Sequence, residues 1–161
     1  MLLDGLHLLS DALAAGVSVT AAAAPADFWQ GPVGASLASS LASAGAELYS
    51  ASRAVLEAAS PVSAPTGIIA IALRELTGIE QVLAGQPALV VCADHVQDPG
   101  NTGAIVRAAE AAGATGVMTT AGSADPFGWK ALRGSMGSAF RLPVAAGADL
   151  DAVCSAARPL P

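Results

Sequence analysis

Apolar residues recur at helical spacing at the start of the chain, which predicts an amphipathic first helix. The residues on its apolar face are Leu2, Leu6, Leu9 and Leu13. Asp4 stands where it would cap this helix, and Gly16 stands where it would end it. Strands are predicted at 17–24, 47–50 and 68–73, and helices at 34–44 and 52–59. The run at 68–73 has no polar alternation, which indicates a strand covered on both faces.

The stretch RELTGIEQVLAGQP, from Arg74 to Pro87, carries most of the local charge and ends in a Gly-Gln-Pro turn. After it the pattern changes to strands that alternate with helices. The strands are predicted at 88–94, 115–120 and 140–144, and the helices at 104–113, 129–137 and 149–158. This order is typical of a parallel sheet with crossover helices. We therefore predict an α/β fold with domains at 1–74 and 88–161, joined by a linker at 75–87.

The last predicted helix, 149–158, is followed by only three residues. A crossover helix normally leads to another parallel strand, and three strands make a thin sheet for a domain of this type. We therefore expect that the chain is cut short.

The composition of the chain argues against several classes of protein. Apolar residues make up 53% of the chain and charged residues 12%, which excludes disorder. The net charge of −6 argues against a protein that coats nucleic acid by charge alone, although a local basic patch stays possible. Cys92 and Cys154 show no metal-ligand spacing, and we interpret both as buried thiols. No secretory signal or bilayer span is visible, so we expect a soluble, cytoplasmic protein that holds no metal.

The stretch DPGNTGAIVRAAEAAG, from Asp98 to Gly113, predicts a glycine-rich turn at the start of a helix. Asn101 is a good N-cap by residue type, and Gly100 and Gly103 allow close approach of a partner. The face that packs on the sheet is predicted to consist of Ile105, Ala108, Ala109 and Ala112. Arg107 lies outside that face, and spacing alone leaves two interpretations: a functional cation, or a solvated arginine paired with Glu110. A dinucleotide-binding fingerprint is a poor match, because the third glycine is missing.

Two blocks in this half resemble the SpoU (TrmH-type) family of RNA 2′-O-ribose methyltransferases. The family pattern D-P-x-N-x-G-x-x-x-R is matched by Asp98, Pro99, Asn101, Gly103 and Arg107. The pattern R-x-S-M-G-x-x-F-x-L-P-V is matched by Arg133, Ser135, Met136, Gly137, Phe140, Leu142, Pro143 and Val144. The segments GLHLLSDALAAG and APTGIIAIA resemble the small RNA-substrate-binding domain that often precedes the methylase domain, with Thr66 where the family often has glutamine.

The resemblance implies a small α/β substrate-binding domain followed by the N-terminal half of a SPOUT-type (α/β knot) methyltransferase domain. It implies S-adenosylmethionine as methyl donor, rRNA or tRNA as substrate, and a homodimer in the full-length parent. The family's glycine-glutamate-glycine loop and Ser-Leu-Asn segment, which build most of the cofactor pocket, are absent from this chain. No cofactor-binding residue is therefore assigned, and we expect the 161-residue chain itself to be inactive.

By the same resemblance Arg107 is assigned to the ribose hydroxyl, with Asn101 supporting it, and Arg133, Ser135 and Lys130 are candidate RNA contacts. A guanidinium has a pKa above about 12, so we expect Arg107 to orient the oxygen and stabilise negative charge rather than to remove a proton. The alternative interpretation is a non-catalytic RNA-binding module of the same fold.

Overall fold

The computed structural model describes residues 1–62, 65–75, 77–85 and 87–158. The contacts within the chain divide it into two compact units, Met1–Arg74 and Glu75–Pro161. Each unit combines a β-sheet with helices, which confirms the predicted α/β class.

The first unit contains a four-stranded mixed sheet in the order β1-β4-β2-β3. Strand β4 is antiparallel to both of its neighbours, whereas β2 and β3 are parallel. Its elements are β1 (Leu2–Asp4), α1 (Leu6–Ala14), β2 (Val19–Ala24), α2 (Ala26–Gln30), α3 (Pro32–Ser43), β3 (Glu47–Ser50), α4 (Arg53–Ala59) and β4 (Ile69–Ala72). The core of this unit includes Ala22 and Ala70 on the inner strands and Leu9 and Leu41 on the helices, all buried. The prediction that 68–73 is covered on both faces was wrong, because Ile71 and Leu73 are exposed.

Two other features of this unit differ from the prediction. Asp4 is the last residue of a strand and is not a helix cap; the N-cap is Gly5, whose φ of 107° suits glycine. The Asp4 side chain is buried and accepts a hydrogen bond from the Ser60 hydroxyl. Strand β1 has three residues, too few for alternation to show, and α2 was not predicted because its five residues merge with the helix that follows.

The second unit contains a three-stranded parallel sheet in the order β5-β6-β7. Its elements are α5 (Ile79–Val82), β5 (Val90–Ala93), α6 (Pro99–Ala111), β6 (Gly116–Thr120), α7 (Trp129–Ser135), α8 (Ser138–Arg141), β7 (Val144–Ala148) and α9 (Leu150–Ala157). The register aligns Val91 with Val117 and Val117 with Val144. The predicted alternation of parallel strands and helices is confirmed, except that Phe140 and Arg141 belong to α8 and the third strand begins at Val144.

The residues predicted to form a linker, 75–87, lie in the second unit. Val82 of α5 is fully buried in a cluster with Met118 and Val153. The charged side chain of Glu80 is on the exposed side of the same short helix. Helix α5, in the middle of the predicted linker, is therefore part of the second core.

Helix α6 packs on the sheet and on α7, and glycine allows the second contact. A Cβ atom added to Gly103 would lie 2.2 Å from the carbonyl oxygen of Ala131 and 2.9 Å from the backbone nitrogen of Ser135. The buried residues of α6 are Thr102, Gly103, Val106 and Ala109. The predicted face was right for Ala109 and wrong for Ala108 and Ala112, which are exposed. Because α6 contacts both the sheet and α7, its buried face lies between the directions of these two contacts.

Both cysteines are exposed, so the prediction of buried thiols was wrong; Cys92 lies on β5, which is at one edge of the three-stranded sheet. Within the described residues, no group of His, Cys, Asp and Glu side chains is arranged to hold a metal ion. No helix in the described part of the chain is long and apolar enough to cross a membrane.

Replacing Gly103 with alanine should destabilise the second unit by about 1–3 kcal/mol, because the new methyl group must push α7 away from α6. The free energy of unfolding can be measured in urea by the fluorescence of Trp129 in a Trp29→Phe background. Ala108→Ser changes an exposed position of the same helix and should cost no more than about 0.5 kcal/mol. An equal, small effect of the two substitutions would contradict the close contact.

Candidate functional site

The start of α6 is fixed by Asp98. Its Oδ1 accepts a hydrogen bond of 2.8 Å from the backbone nitrogen of Asn101, and Pro99 occupies the first helical position. The N-cap is therefore Asp98, and the prediction that Asn101 caps the helix was wrong. The Asn101 side chain is exposed in the first turn, and no hydrogen bond of the described residues joins it to Arg107.

The loop that leads into α6 is held by polar side chains at the carboxyl ends of β5 and β6. The Thr120 hydroxyl donates to Asp94 Oδ1 at 2.6 Å, and His95 Nδ1 lies 2.7 Å from the same oxygen. The Thr120 hydrogen bond, followed by that of His95, lowers the pKa of the Asp94 carboxyl. His95 adopts a φ of 50°, uncommon for a non-glycine residue. Sequence analysis missed this group because Asp94 and Thr120 are 26 residues apart.

Arg107 lies on the exposed side of α6, where its Nη1 donates to Met136 Sδ at 3.0 Å. Met136 is the C-cap of α7, and its left-handed backbone (φ 50°, ψ 48°) leaves 62% of the residue exposed. A thioether is a weak, uncharged acceptor. The contact therefore orients the guanidinium without neutralising its charge.

Glu110, which one of the two interpretations paired with Arg107, is bound by Arg141 of α8. The two side chains form a bidentate ion pair, with 2.6 Å between Nε and Oε1 and 2.8 Å between Nη2 and Oε2. The hydrogen bond from Arg141, aided by one from Ser138, lowers the pKa of Glu110 to about 2. The interpretation of Arg107 as a solvated arginine paired with Glu110 was therefore wrong. We refer to Arg107, Glu110, Met136 and Arg141 as the Arg107 cluster.

The other predicted site residues do not join this cluster. Helix α7 turns Ala131 and Gly134 towards α6, and Lys130 and Arg133 are exposed elsewhere on it. The Lys130 ammonium lies 5.5 Å from the centre of the Trp129 ring, a cation–π contact. Ser135 is fully buried and its hydroxyl donates to the Leu132 carbonyl at 2.8 Å, a placement that does not fit its predicted contact with RNA.

Residues 88–159 match the model of the SpoU rRNA Methylase family. The chain is 49% identical over 55 residues to 23S rRNA (guanosine(2553)-2′-O)-methyltransferase of Bacillus subtilis, a match that covers 34% of this chain and 22% of that protein. It is 36% identical over 145 residues to an uncharacterised tRNA/rRNA methyltransferase of Synechocystis, covering 89% of this chain and 51% of that one. The crystal structure of an AdoMet-bound rRNA methyltransferase from Sinorhizobium meliloti superposes with a TM-score of 0.83 at 25% identity, over 98% of this chain and 57% of that chain. The chain thus spans little more than half of either of these last two proteins.

The Glu110–Arg141 pair predicts a pH-dependent contribution to stability. Because folding lowers the pKa of Glu110 to about 2, its stabilisation is complete above the unfolded value near 4.5 and is lost as the pH falls towards 2. Glu110→Gln should therefore cost about 1 kcal/mol in urea unfolding at pH 7, a cost that shrinks between pH 4.5 and pH 2. The exposed carboxylate of Glu57 supplies the matched control, Glu57→Gln. A cost for Glu110→Gln that stays constant with pH would count against the pair.

Proposed function

We propose, since residues 88–159 belong to the SpoU rRNA methylase family, that the protein methylates a ribose 2′-hydroxyl of structured RNA. The observation that carries this proposal is the Arg107 guanidinium, which is exposed at the matching position of the family pattern and has no carboxylate partner among the described residues. The B. subtilis relative, by its name, modifies a guanosine 2′-oxygen in 23S rRNA. The substrate proposed here is an rRNA or a tRNA.

Arg107 orients the reacting ribose and stabilises negative charge. A guanidinium is a permanent cation that presents several N–H donors in a plane. These donors suit the ribose 2′-oxygen and the adjacent phosphate. As the 2′-oxygen loses its proton, a fixed cation beside it lowers the energy of the developing alkoxide. The proton of the 2′-hydroxyl passes to an acceptor other than Arg107, because a guanidinium has no lone pair to accept it.

The methyl donor proposed is S-adenosylmethionine, which supplies an electrophilic methyl group on a sulfonium. Two guanidiniums, those of Arg107 and Arg141, are grouped in the Arg107 cluster beside a single carboxylate. A positively charged sulfonium does not fit beside this excess of positive charge, whereas an RNA strand does. In this proposal Arg107 therefore contacts RNA, and no described residue of the Arg107 cluster is assigned to the methyl donor.

Lys130 and Arg133 are proposed to contact RNA phosphates from the exposed sides of α7, since phosphate contacts need charge and exposure more than exact geometry. Asn101, exposed in the first turn of α6, is proposed to contact the same strand. We further propose a homodimer that acts in the cytoplasm, as the family resemblance suggests.

The second candidate function is an RNA-binding module without catalysis. It is favoured by one observation: the Arg107 cluster holds two guanidiniums and a single carboxylate, and no described residue of the cluster fits the methyl donor.

Methyl incorporation separates the two functions. The protein is incubated with labelled S-adenosylmethionine and rRNA, and the modified nucleotide is identified by mass spectrometry. The primary proposal expects label at a ribose 2′-oxygen and a loss of at least about 100-fold with Arg107→Ala, since removing one stabilising donor costs about this much. Arg158→Ala, which removes one exposed positive charge at the end of α9, is the control and should retain activity.

The RNA-binding module is the function if RNA is bound and no label is incorporated, either by this chain or by a longer protein that joins it to the family's glycine-glutamate-glycine loop. Wild-type turnover by Arg107→Ala would contradict the role assigned to Arg107.

A further inference from the structure

We propose that Arg141 is a positioning residue, which holds the Glu110 carboxylate and thereby keeps the Arg107 guanidinium open to RNA. Its functional meaning rests on the role of Arg107 proposed above. The competition of Arg107 and Arg141 for the Glu110 carboxylate does not depend on that role.

Arg107 and Glu110 are three residues apart on α6, a spacing at which side chains of opposite charge meet on one side of a helix. The structure nevertheless shows Glu110 with Arg141, which comes 31 residues later in the chain. The contact through Nε and Nη2 is bidentate, with two charge-assisted hydrogen bonds of 2.6 Å and 2.8 Å to the two oxygens of one carboxylate. Two arginines thus compete for one carboxylate, and Arg141 holds it.

Arg141 also acts on the second neighbour of Arg107. Its Nη2 donates to the backbone oxygen of Met136 at 3.5 Å, while the thioether of Met136 accepts from Arg107. One side chain of α8 therefore contacts both the carboxylate that would neutralise Arg107 and the residue that orients it. Arg107 exchanges a neutral sulfur acceptor for a phosphate or hydroxyl oxygen of RNA far more easily than it would exchange a carboxylate partner.

Removal of Arg141 should therefore release Glu110 to Arg107. The two groups are then paired at helical spacing, and RNA must break that pair before it reaches the guanidinium. Glu110→Gln in the same protein should restore RNA binding, because glutamine has no charge with which to hold Arg107.

The first test is the pKa of Glu110, followed by NMR of its side-chain carboxyl carbon in three proteins. In the wild type the pKa is about 2. In Arg141→Ala it should rise only part of the way towards the ordinary value of 4.5, and it should rise further in Arg107→Ala/Arg141→Ala. Equal Glu110 pKa values in the single and double variants would overturn the inference. Arg141→Met, which keeps the aliphatic stem, replaces the alanine variant if that variant unfolds.

The second test is affinity for an RNA oligonucleotide at constant salt. Arg141→Ala should weaken binding about tenfold, equivalent to about 1.4 kcal/mol, and Arg141→Ala/Glu110→Gln should recover most of the loss. Arg158→Ala is again the matched control for the loss of one positive charge. A loss that Glu110→Gln does not recover would mean that Arg141 itself contacts RNA, and it would overturn the inference.

The two tests separate this inference from the proposed function. In one outcome the Glu110 pKa differs between Arg141→Ala and Arg107→Ala/Arg141→Ala, while Arg141→Ala binds RNA as tightly as the wild type. This outcome supports the competition of the two arginines for Glu110 and overturns the proposed role of Arg107 in RNA binding.

Discussion

The close contact between α6 and α7 is the constraint on which the candidate site depends. At Gly103 the two helices come so near that a single methyl group would overlap the backbone of Ala131. This approach sets where α7 ends, and with it the position of Met136 beside Arg107. The short α8 that follows then brings Arg141 to Glu110. A glycine with no chemistry of its own therefore determines which charged groups meet.

The distribution of charge around Arg107 follows from that placement. Two guanidiniums lie near one carboxylate, and the planar fork of Arg141 takes both of its oxygens. Arg107 retains its charge in contact with a neutral sulfur. The protein as a whole carries a net charge of −6, so the RNA binding proposed here cannot come from its average composition. In this proposal it comes from a few cations whose neighbouring carboxylates are bound by other residues, and Arg107 is such a cation.

The hydrophobic pattern predicted most of the strands and helices of both units, because apolar runs such as 68–73 and 115–120 have few alternative placements. It did not predict that one face of the first of these runs is open, with Ile71 and Leu73 exposed. It misplaced the cap of α6, since Asp98 and Asn101 are both good caps by type and only the Pro99 that follows Asp98 decides between them. It was wrong for part of the buried face of α6, because nothing in the local pattern reveals a second packing surface. It left open a pair between Glu110 and its near neighbour Arg107, since the observed partner, Arg141, lies on another helix 31 residues away. Local spacing predicts elements, whereas the choice between competing partners depends on tertiary contacts.

The central claim is that the Arg107 guanidinium faces a ribose hydroxyl of bound RNA. The most direct test is ¹⁵N NMR of the arginine side-chain Nε–H groups during titration with an RNA oligonucleotide and with the DNA oligonucleotide of the same sequence. The account predicts that the Arg107 resonance moves with RNA and moves much less with DNA, which lacks the 2′-oxygen. An Arg107 resonance that stays in place while those of other arginines move, or that responds equally to both strands, would contradict it.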